Sequence, residues 1–405
     1  VNLFDVADRF ASLDRSDVML DSKRCLHSLF RFSDCKACLE ICPVDAILPG
    51  KVPGLDSTKC ETCLACLPVC PVGAFAADDA VASLLNAVTH LQGGELELLC
   101  EKNQQAELGF TETSTGIRVR GCLAGLGTGA FLALAAIGLE RIIVRMDACS
   151  ACKWESLSSQ VQAQVTQANQ LLVGWGKTEI ITCVSGLDSP VDRPLWKSTN
   201  PPISRRDLFL FAARQGQIAI ARSIENGQPQ SSHRPGRDHL RMAGAITHFP
   251  VPVSPESINL SGMGFASVST SEACVACGTC ARACPTNALQ FKKNENETSF
   301  TLSLSVRNCI GCGMCIHVCT SKTLSMDRSP AFARVFSEQT VILMEGELIK
   351  CEQCGVLIAA RPDVHLCQFC DYRRSHPFGS MQVPGTITPS TQVQMENLEL
   401  GKPPG

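Results

Sequence analysis

Twenty-five of the 405 residues are cysteine, and most are separated from the next one by only two or three residues. Thiols that close are poorly placed for disulfides with distant partners. They suit a metal, which needs several thiolates converging on one point. An odd total points the same way, because a fully paired disulfide framework needs an even number. The chemistry on offer is soft-metal ligation in a reducing compartment.

The most regular run is Cys274-x-x-Cys277-x-x-Cys280-x-x-x-Cys284-Pro285. It is followed by Cys309-x-x-Cys312-x-x-Cys315-x-x-x-Cys319, with Thr320 where a second proline is expected. Three closely spaced cysteines can wrap one face of a cubane, but the fourth thiolate must come from elsewhere. Gly278, Gly311 and Gly313 stand between ligands, where the chain must bend. The N-terminal pair is less regular. Cys60-x-x-Cys63-x-x-Cys66-x-x-x-Cys70-Pro71 is complete, whereas Cys35-x-x-Cys38-x-x-x-Cys42-Pro43 has Phe32 in place of a first cysteine. Cys25, ten residues before Cys35, is the nearby thiol able to replace it. The alternative is a three-iron cluster, or a site with an open iron, and Cys25 as a bystander.

Both segments resemble bacterial two-cluster ferredoxin domains over about 45 residues each. In that family the last cysteine of each run crosses to the other cluster. The resemblance therefore implies Cys274, Cys277, Cys280 and Cys319 for one cluster, and Cys309, Cys312, Cys315 and Cys284 for a second. In the N-terminal segment it implies Cys25, Cys35, Cys38 and Cys70, and Cys60, Cys63, Cys66 and Cys42, making four [4Fe-4S] clusters. Such domains are small antiparallel α+β units whose clusters serve as cores. Ile41, Val69, Ile310 and Val318 are expected to cover the clusters.

A third arrangement lies near the end of the chain. Cys351-x-x-Cys354-Gly355 and Cys367-x-x-Cys370 have the spacing of a zinc-ribbon-like knuckle. One zinc ion or a rubredoxin-like iron fits four such thiolates. The short loop and the lack of a second Cys-Gly favour structural zinc.

The elements between these groups must position the remaining thiols. The pattern predicts helices over 80–91, 126–137 and 156–172, and strands over 95–99, 117–120, 142–146 and 179–182. Strand and helix alternating at this spacing imply a small parallel sheet with right-handed crossovers. Cys100, Cys122, Cys149 and Cys183 each follow the carboxyl end of a predicted strand, the edge where open α/β sheets hold ligands. Cys152 is expected at the next helix N-terminus, whose dipole favours thiolate. Five thiols on one rim could hold a further iron–sulfur centre, or be ordinary buried cysteines. The order strand–Cys, strand–Cys, helix, strand, Cys-x-x-Cys resembles the delta subunit of methyl-viologen-reducing hydrogenases over about 100 residues. That resemblance implies a [2Fe-2S]-type centre and electron transfer between a hydrogenase or formate dehydrogenase and a reductase. This chain has Asp147-Ala148 before Cys149, not the glycine-cysteine pair that usually opens the last motif.

The reading is an α+β multidomain chain: two ferredoxin-like 2[4Fe-4S] units (1–78 and 263–330) flanking an α/β domain (79–187). A linker over 188–262, the knuckle over 331–378 and a polar tail over 379–405 complete it. The linker is rich in proline and mildly basic. Within it, Ser204-Arg205-Arg206 resembles an export motif, but its internal position favours a Ser204-capped helix over 205–213. Val1–Leu20 is amphipathic with no continuous apolar core, so no secretory leader is expected. Leu123–Leu139, the longest apolar stretch, is short for a span and rich in glycine, so it is expected as a buried helix. A net charge of −3, one tyrosine and three tryptophans speak against nucleic-acid binding.

No acid–base pair, nucleophilic triad, phosphate loop or flavin fingerprint stands out. Clusters without a substrate site suggest a wire between redox partners, a dehydrogenase or hydrogenase at one end, in the cytoplasm. The whole arrangement is similar to 4Fe-4S proteins associated with formate dehydrogenase. That similarity implies as alternative an accessory or maturation protein of a molybdenum enzyme. A third possibility is an oxidoreductase acting at the Cys100–Cys122–Cys149 rim.

Overall fold

A computed structural model describes residues 18–78, 80–91, 94–187, 189–201, 215–226, 233–337 and 339–376. The proposed helix over 205–213 and the tail over 379–405 lie outside these residues.

The fold mixes helices with a five-stranded parallel sheet. Following the chain, α1 (Ala80–Val88) leads to β1 (Glu95–Leu99) and β2 (Thr115–Arg118). Next come α2 (Thr128–Ile137), β3 (Arg141–Arg145), α3 (Ser158–Leu172), β4 (Ile181–Val184) and β5 (Leu195–Lys197). The strand order is β5-β2-β1-β3-β4, and every pairing is parallel. The apolar runs Leu96–Leu99 and Ile142–Val144 are buried, as strands covered on both faces must be. Helix α2 is buried along its length between α3 and later helices, which accounts for its glycine- and alanine-rich composition. No helix among the described residues is long and apolar enough to cross a membrane.

Two expectations shift here. Glu179 adopts a left-handed φ of 56°, so the last expected strand starts later and Cys183 lies inside β4. Cys152 is not at a helix N-terminus: a 3-10 turn over Glu155–Leu157 precedes α3.

The stretch expected as a linker is built into the fold. It supplies β5, α4 (Gln215–Asn226) and α5 (Arg237–Ile246). Arg193 lies within 9% of full burial and reaches beneath β2, where a Cβ on Gly116 would stand 2.1 Å from its guanidinium. The prolines that read as loop instead bracket a three-residue edge strand too short to show a period. Helix α5 packs on α2, and the Asp238 carboxylate accepts from the Gly129 N–H at 2.7 Å, satisfying an orphan donor of that helix's first turn.

On either side of this domain stand two small antiparallel arrangements of the same plan. In the first, Met19–Leu20 pairs with Phe75–Ala76 and Ile47–Leu48 with Gly54–Leu55. In the second, Ser267–Thr270 pairs with Leu324–Asp327, and β6 (Leu289–Lys293) with β7 (Ser299–Leu304). The hairpin continues into β8 (Val341–Lys350) and β9 (Leu357–Ala359), then α6 (Gln368–Ser375). The two arrangements touch directly: Ile310 and Met314 belong to the same apolar core as Leu26, Leu67 and Val72.

Candidate metal centres

No disulfide joins any of the 25 cysteines. They gather instead into groups whose members crowd one another electrostatically. Burial pushes the Cys38 thiol up to about 11, and the nearby Cys70, Cys35 and Cys25 push it the same way. These four line one cavity. Cys25 thus stands with the run it was expected to complete, carried there by the loop in which His27 Nε2 bonds the Cys35 carbonyl at 2.7 Å. Burial also raises the Cys66 thiol, with Cys63, Cys60 and Cys42 beside it.

The second arrangement repeats this. Cys274, Cys277, Cys280 and Cys319 line a cavity, and burial followed by Cys277, Cys274 and Cys319 lifts Cys280 to about 11. Cys315 is raised by burial, then by Cys309, Cys312 and Cys284. If these thiols ionise together, their mutual repulsion and burial call for a cation among them, as thiolate ligation of a metal provides.

The loops carry a second mark. The residues flanking the middle cysteine of three runs are left-handed: Thr62 and Leu64, Ala276 and Gly278, Gly311 and Gly313. For Thr62, Leu64 and Ala276 that conformation costs roughly 1–2 kcal/mol each. Such strain persists where the surroundings over-determine it. Neither Asp34 nor Lys36, flanking Cys35, adopts it, so the irregular run differs in backbone as well as in sequence.

Donors to sulfur complete the shells. After Cys42 and Cys70 the proline turns the chain, and the fourth residue donates its amide: Ala46 N to Cys42 Sγ at 3.3 Å, Ala74 N to Cys70 Sγ at 3.1 Å. At Cys319, followed by Thr320, the hydroxyls of Ser321 and Thr323 lie 3.6 and 3.5 Å from Sγ. Burial opposes ionisation there, but those hydroxyls hold the Cys319 thiol below its ordinary value. The sequence carried no signal for these hydroxyls apart from the missing proline.

On the parallel sheet, Cys100, Cys122, Cys149, Cys152 and Cys183 also approach one another. Burial takes Cys122 to about 12 and Cys149 to about 11, with Cys100 the next contributor among thiols in both. Cys152 and Cys183 add to the rise at Cys149. A buried ionic network fixes the loops that carry them. Glu97 Oε2 accepts from Arg145 at 2.9 Å and Arg193 at 3.2 Å, and Arg145 also holds Asp147 at 2.8 Å. Asp147 then accepts from Asn103 Nδ2 at 3.1 Å, tying the Cys149 loop to the loop after Cys100.

Cys351, Cys354, Cys367 and Cys370 differ in scale. Their sulfurs all lie within 4.8 Å of one another, and Cys354 Sγ is 3.7 Å from Cys367 Sγ. Sulfurs about 2.3 Å from one tetrahedral ion stand about 3.8 Å apart, so this set fits a mononuclear metal. Among the described residues no other Cys, His or carboxylate group is so tight. The other sets are wider, and two of them, those of Cys25 and Cys274, surround a cavity between their thiols. Backbone N–H groups, Cys367 first, lower the Cys351 thiol to about 6, which readies it for a cation.

A model of the 4Fe-4S dicluster domain matches residues 273–323. No curated protein and no solved structure matches the chain. The match gives that segment the character of a 4Fe-4S domain, and with the grouped cysteines it supports iron–sulfur chemistry of the electron-transfer kind.

Proposed function

We propose that this chain relays electrons between redox partners through four [4Fe-4S] clusters and one further iron–sulfur centre. The observation that carries the reading is the gathering of sixteen cysteines into four sets of four, each set drawn from two runs of the sequence. The sets are Cys25, Cys35, Cys38 and Cys70; Cys42, Cys60, Cys63 and Cys66; Cys274, Cys277, Cys280 and Cys319; and Cys284, Cys309, Cys312 and Cys315. Each pair of sets then forms a ferredoxin-like unit. The rim cysteines of the parallel sheet hold the further centre, and the C-terminal tetrad holds structural zinc in a ribbon-like knuckle.

Clusters of this kind accept and return single electrons at potentials set by their surroundings. The protein's part is to hold the thiolates, exclude water and aim donors at sulfur. Leu26, Val72 and Phe75 wall the cavity of the Cys25 set, and the amide of Ala74 and the hydroxyl of Thr323 supply hydrogen bonds. The sequence carries no recognisable acid–base pair, nucleophilic triad or phosphate loop, which favours a carrier over a catalyst. A dehydrogenase or hydrogenase is the class of partner, and the reducing cytoplasm the expected setting.

Redox titration of the anaerobically purified chain, followed by EPR, tests the reading. Reversible one-electron signals that reduce or oxidise a partner support the relay. Clusters released to an apo-acceptor protein would point to an assembly role instead.

A further inference from the structure

We propose that the metal sites form one unbranched line, with the five-thiol rim as a terminal port of that line and not as the joint between two ferredoxin-like units. The proposal rests on the cluster assignments above and adds their order.

The first junction joins the rim to the Cys42/Cys60/Cys63/Cys66 set. The Cys122 N–H donates to the Cys63 carbonyl at 3.2 Å, so the backbones of the two sites are directly bonded. The approach depends on two glycines. A Cβ on Gly121, already at φ +70°, would meet the Thr62 and Cys63 carbonyl oxygens at 3.2 Å, and one on Gly125 would meet Leu64 Cβ at 2.8 Å. Glu61 closes the contact from the other side. Its Oε2 accepts from Trp154 Nε1 at 2.8 Å and from Lys153 Nζ at 2.6 Å, both in the loop just after Cys152.

The second junction brings the two units directly against each other. His317, between Cys315 and Cys319, packs its ring 5.2 Å from Phe30, which lies in the loop from Cys25 to Cys35. Ile310, between Cys309 and Cys312, lines a cavity together with Cys70. The irregular N-terminal run therefore has a use: its long loop is the bracket that seats one unit on the other.

The parallel sheet does touch the second unit, but at its opposite edge. Trp175, which precedes β4, meets the Phe332 ring edge to face with centroids 5.4 Å apart. The cysteine rim sits at the exit of the strands, away from that contact. At the far end of the line, Thr320 donates to Gln368 at 3.3 Å, linking the neighbours of Cys319 and Cys367, and Arg361 donates to the Cys274 carbonyl. The order is then rim, Cys63 set, Cys25 set, Cys309 set, Cys274 set, with the tetrad fixed against the last.

EPR of the fully reduced, full-length holoprotein tests this order. The rim signal is first identified as the one lost in Cys149→Ser. In the line proposed, that signal is magnetically split by its neighbour, the splitting collapses in Cys63→Ser, and it is untouched in Cys277→Ser. Glu61→Gln keeps iron and sulfide contents at wild-type levels and weakens the splitting, which separates loss of contact from loss of folding. A rim signal unsplit in the wild type, or one that responds to Cys277→Ser and not to Cys63→Ser, overturns the order. Absence of any signal or iron attributable to the rim overturns the underlying assignment of a centre there, and the proposal with it.

Discussion

At the scale of single residues, the cysteine spacings were legible in the sequence because a cubane's ligand geometry dictates them. The groups that tune those sites were not. Hydrogen bonds to sulfur favour the more negative, reduced state of a cluster. The Thr323 hydroxyl, 3.5 Å from Cys319 Sγ, should therefore raise that cluster's potential. One such bond contributes about 1 kcal/mol, or about 40 mV for one electron, so Thr323→Val lowers that midpoint by this order in an EPR redox titration. An unchanged midpoint would remove Thr323 from the site. Cys25 is the residue on which sequence reasoning left two readings open. Its place in the cavity with Cys35, Cys38 and Cys70 leads to a specific expectation. Cys25→Ala should cost the protein iron, with up to about four atoms lost per chain. A variant with wild-type iron and unaltered EPR would return Cys25 to the role of bystander.

At the scale of elements, the strands and helices of the sheet domain announced themselves by period, and the stretch after Cys183 did not. Its prolines and its three-residue strand resemble loop sequence, while its anchoring comes from single long-range contacts: Arg193 under β2, Asp238 at the start of α2, Gly236 against Cys70. A Cβ on Gly236 would stand 2.2 Å from the Cys70 carbonyl oxygen, a contact no local pattern encodes. The buried Glu97 network tests how much rests on such contacts. Glu97→Ala leaves Arg145 and Arg193 without their shared carboxylate and should cost about 3–5 kcal/mol, read as a lowered denaturation midpoint. A loss below 1 kcal/mol, the range of exposed ion pairs, would contradict it. His239 on α5 gives the same element a pH dependence. Burial, opposed by the Arg307 carbonyl at 2.7 Å from its Nε2, lowers its pKa from 6.5 to about 4. Between those values the unfolded chain binds a proton that the folded chain refuses, so stability is complete above pH 6.5 and declines as pH falls toward 4. The decline amounts to about 3 kcal/mol, and His239→Gln should flatten it in thermal melts across that window. An equally steep decline in the variant would show that other groups govern it.

At the scale of the whole molecule, the sequence suggested two ferredoxin-like units flanking a middle domain, and the structure places the two small units against each other. Local spacing cannot report that arrangement, because the residues that decide it, Phe30 against His317 and Leu26 in one apolar core with Ile310, lie hundreds of residues apart in the chain. Cys277 is exposed and Cys152 borders an open cavity, so each end of the proposed line has a surface at which a partner can exchange electrons. The central claim is that sixteen of the cysteines hold four cubanes that cycle. Iron and acid-labile sulfide counted on anaerobically purified, full-length protein, together with an EPR redox titration of the same sample, test it most directly. At least about 16 irons and about 16 sulfides per chain are expected, with each cubane reversibly taking up one electron. A count near eight of each, or clusters that do not cycle, would contradict it.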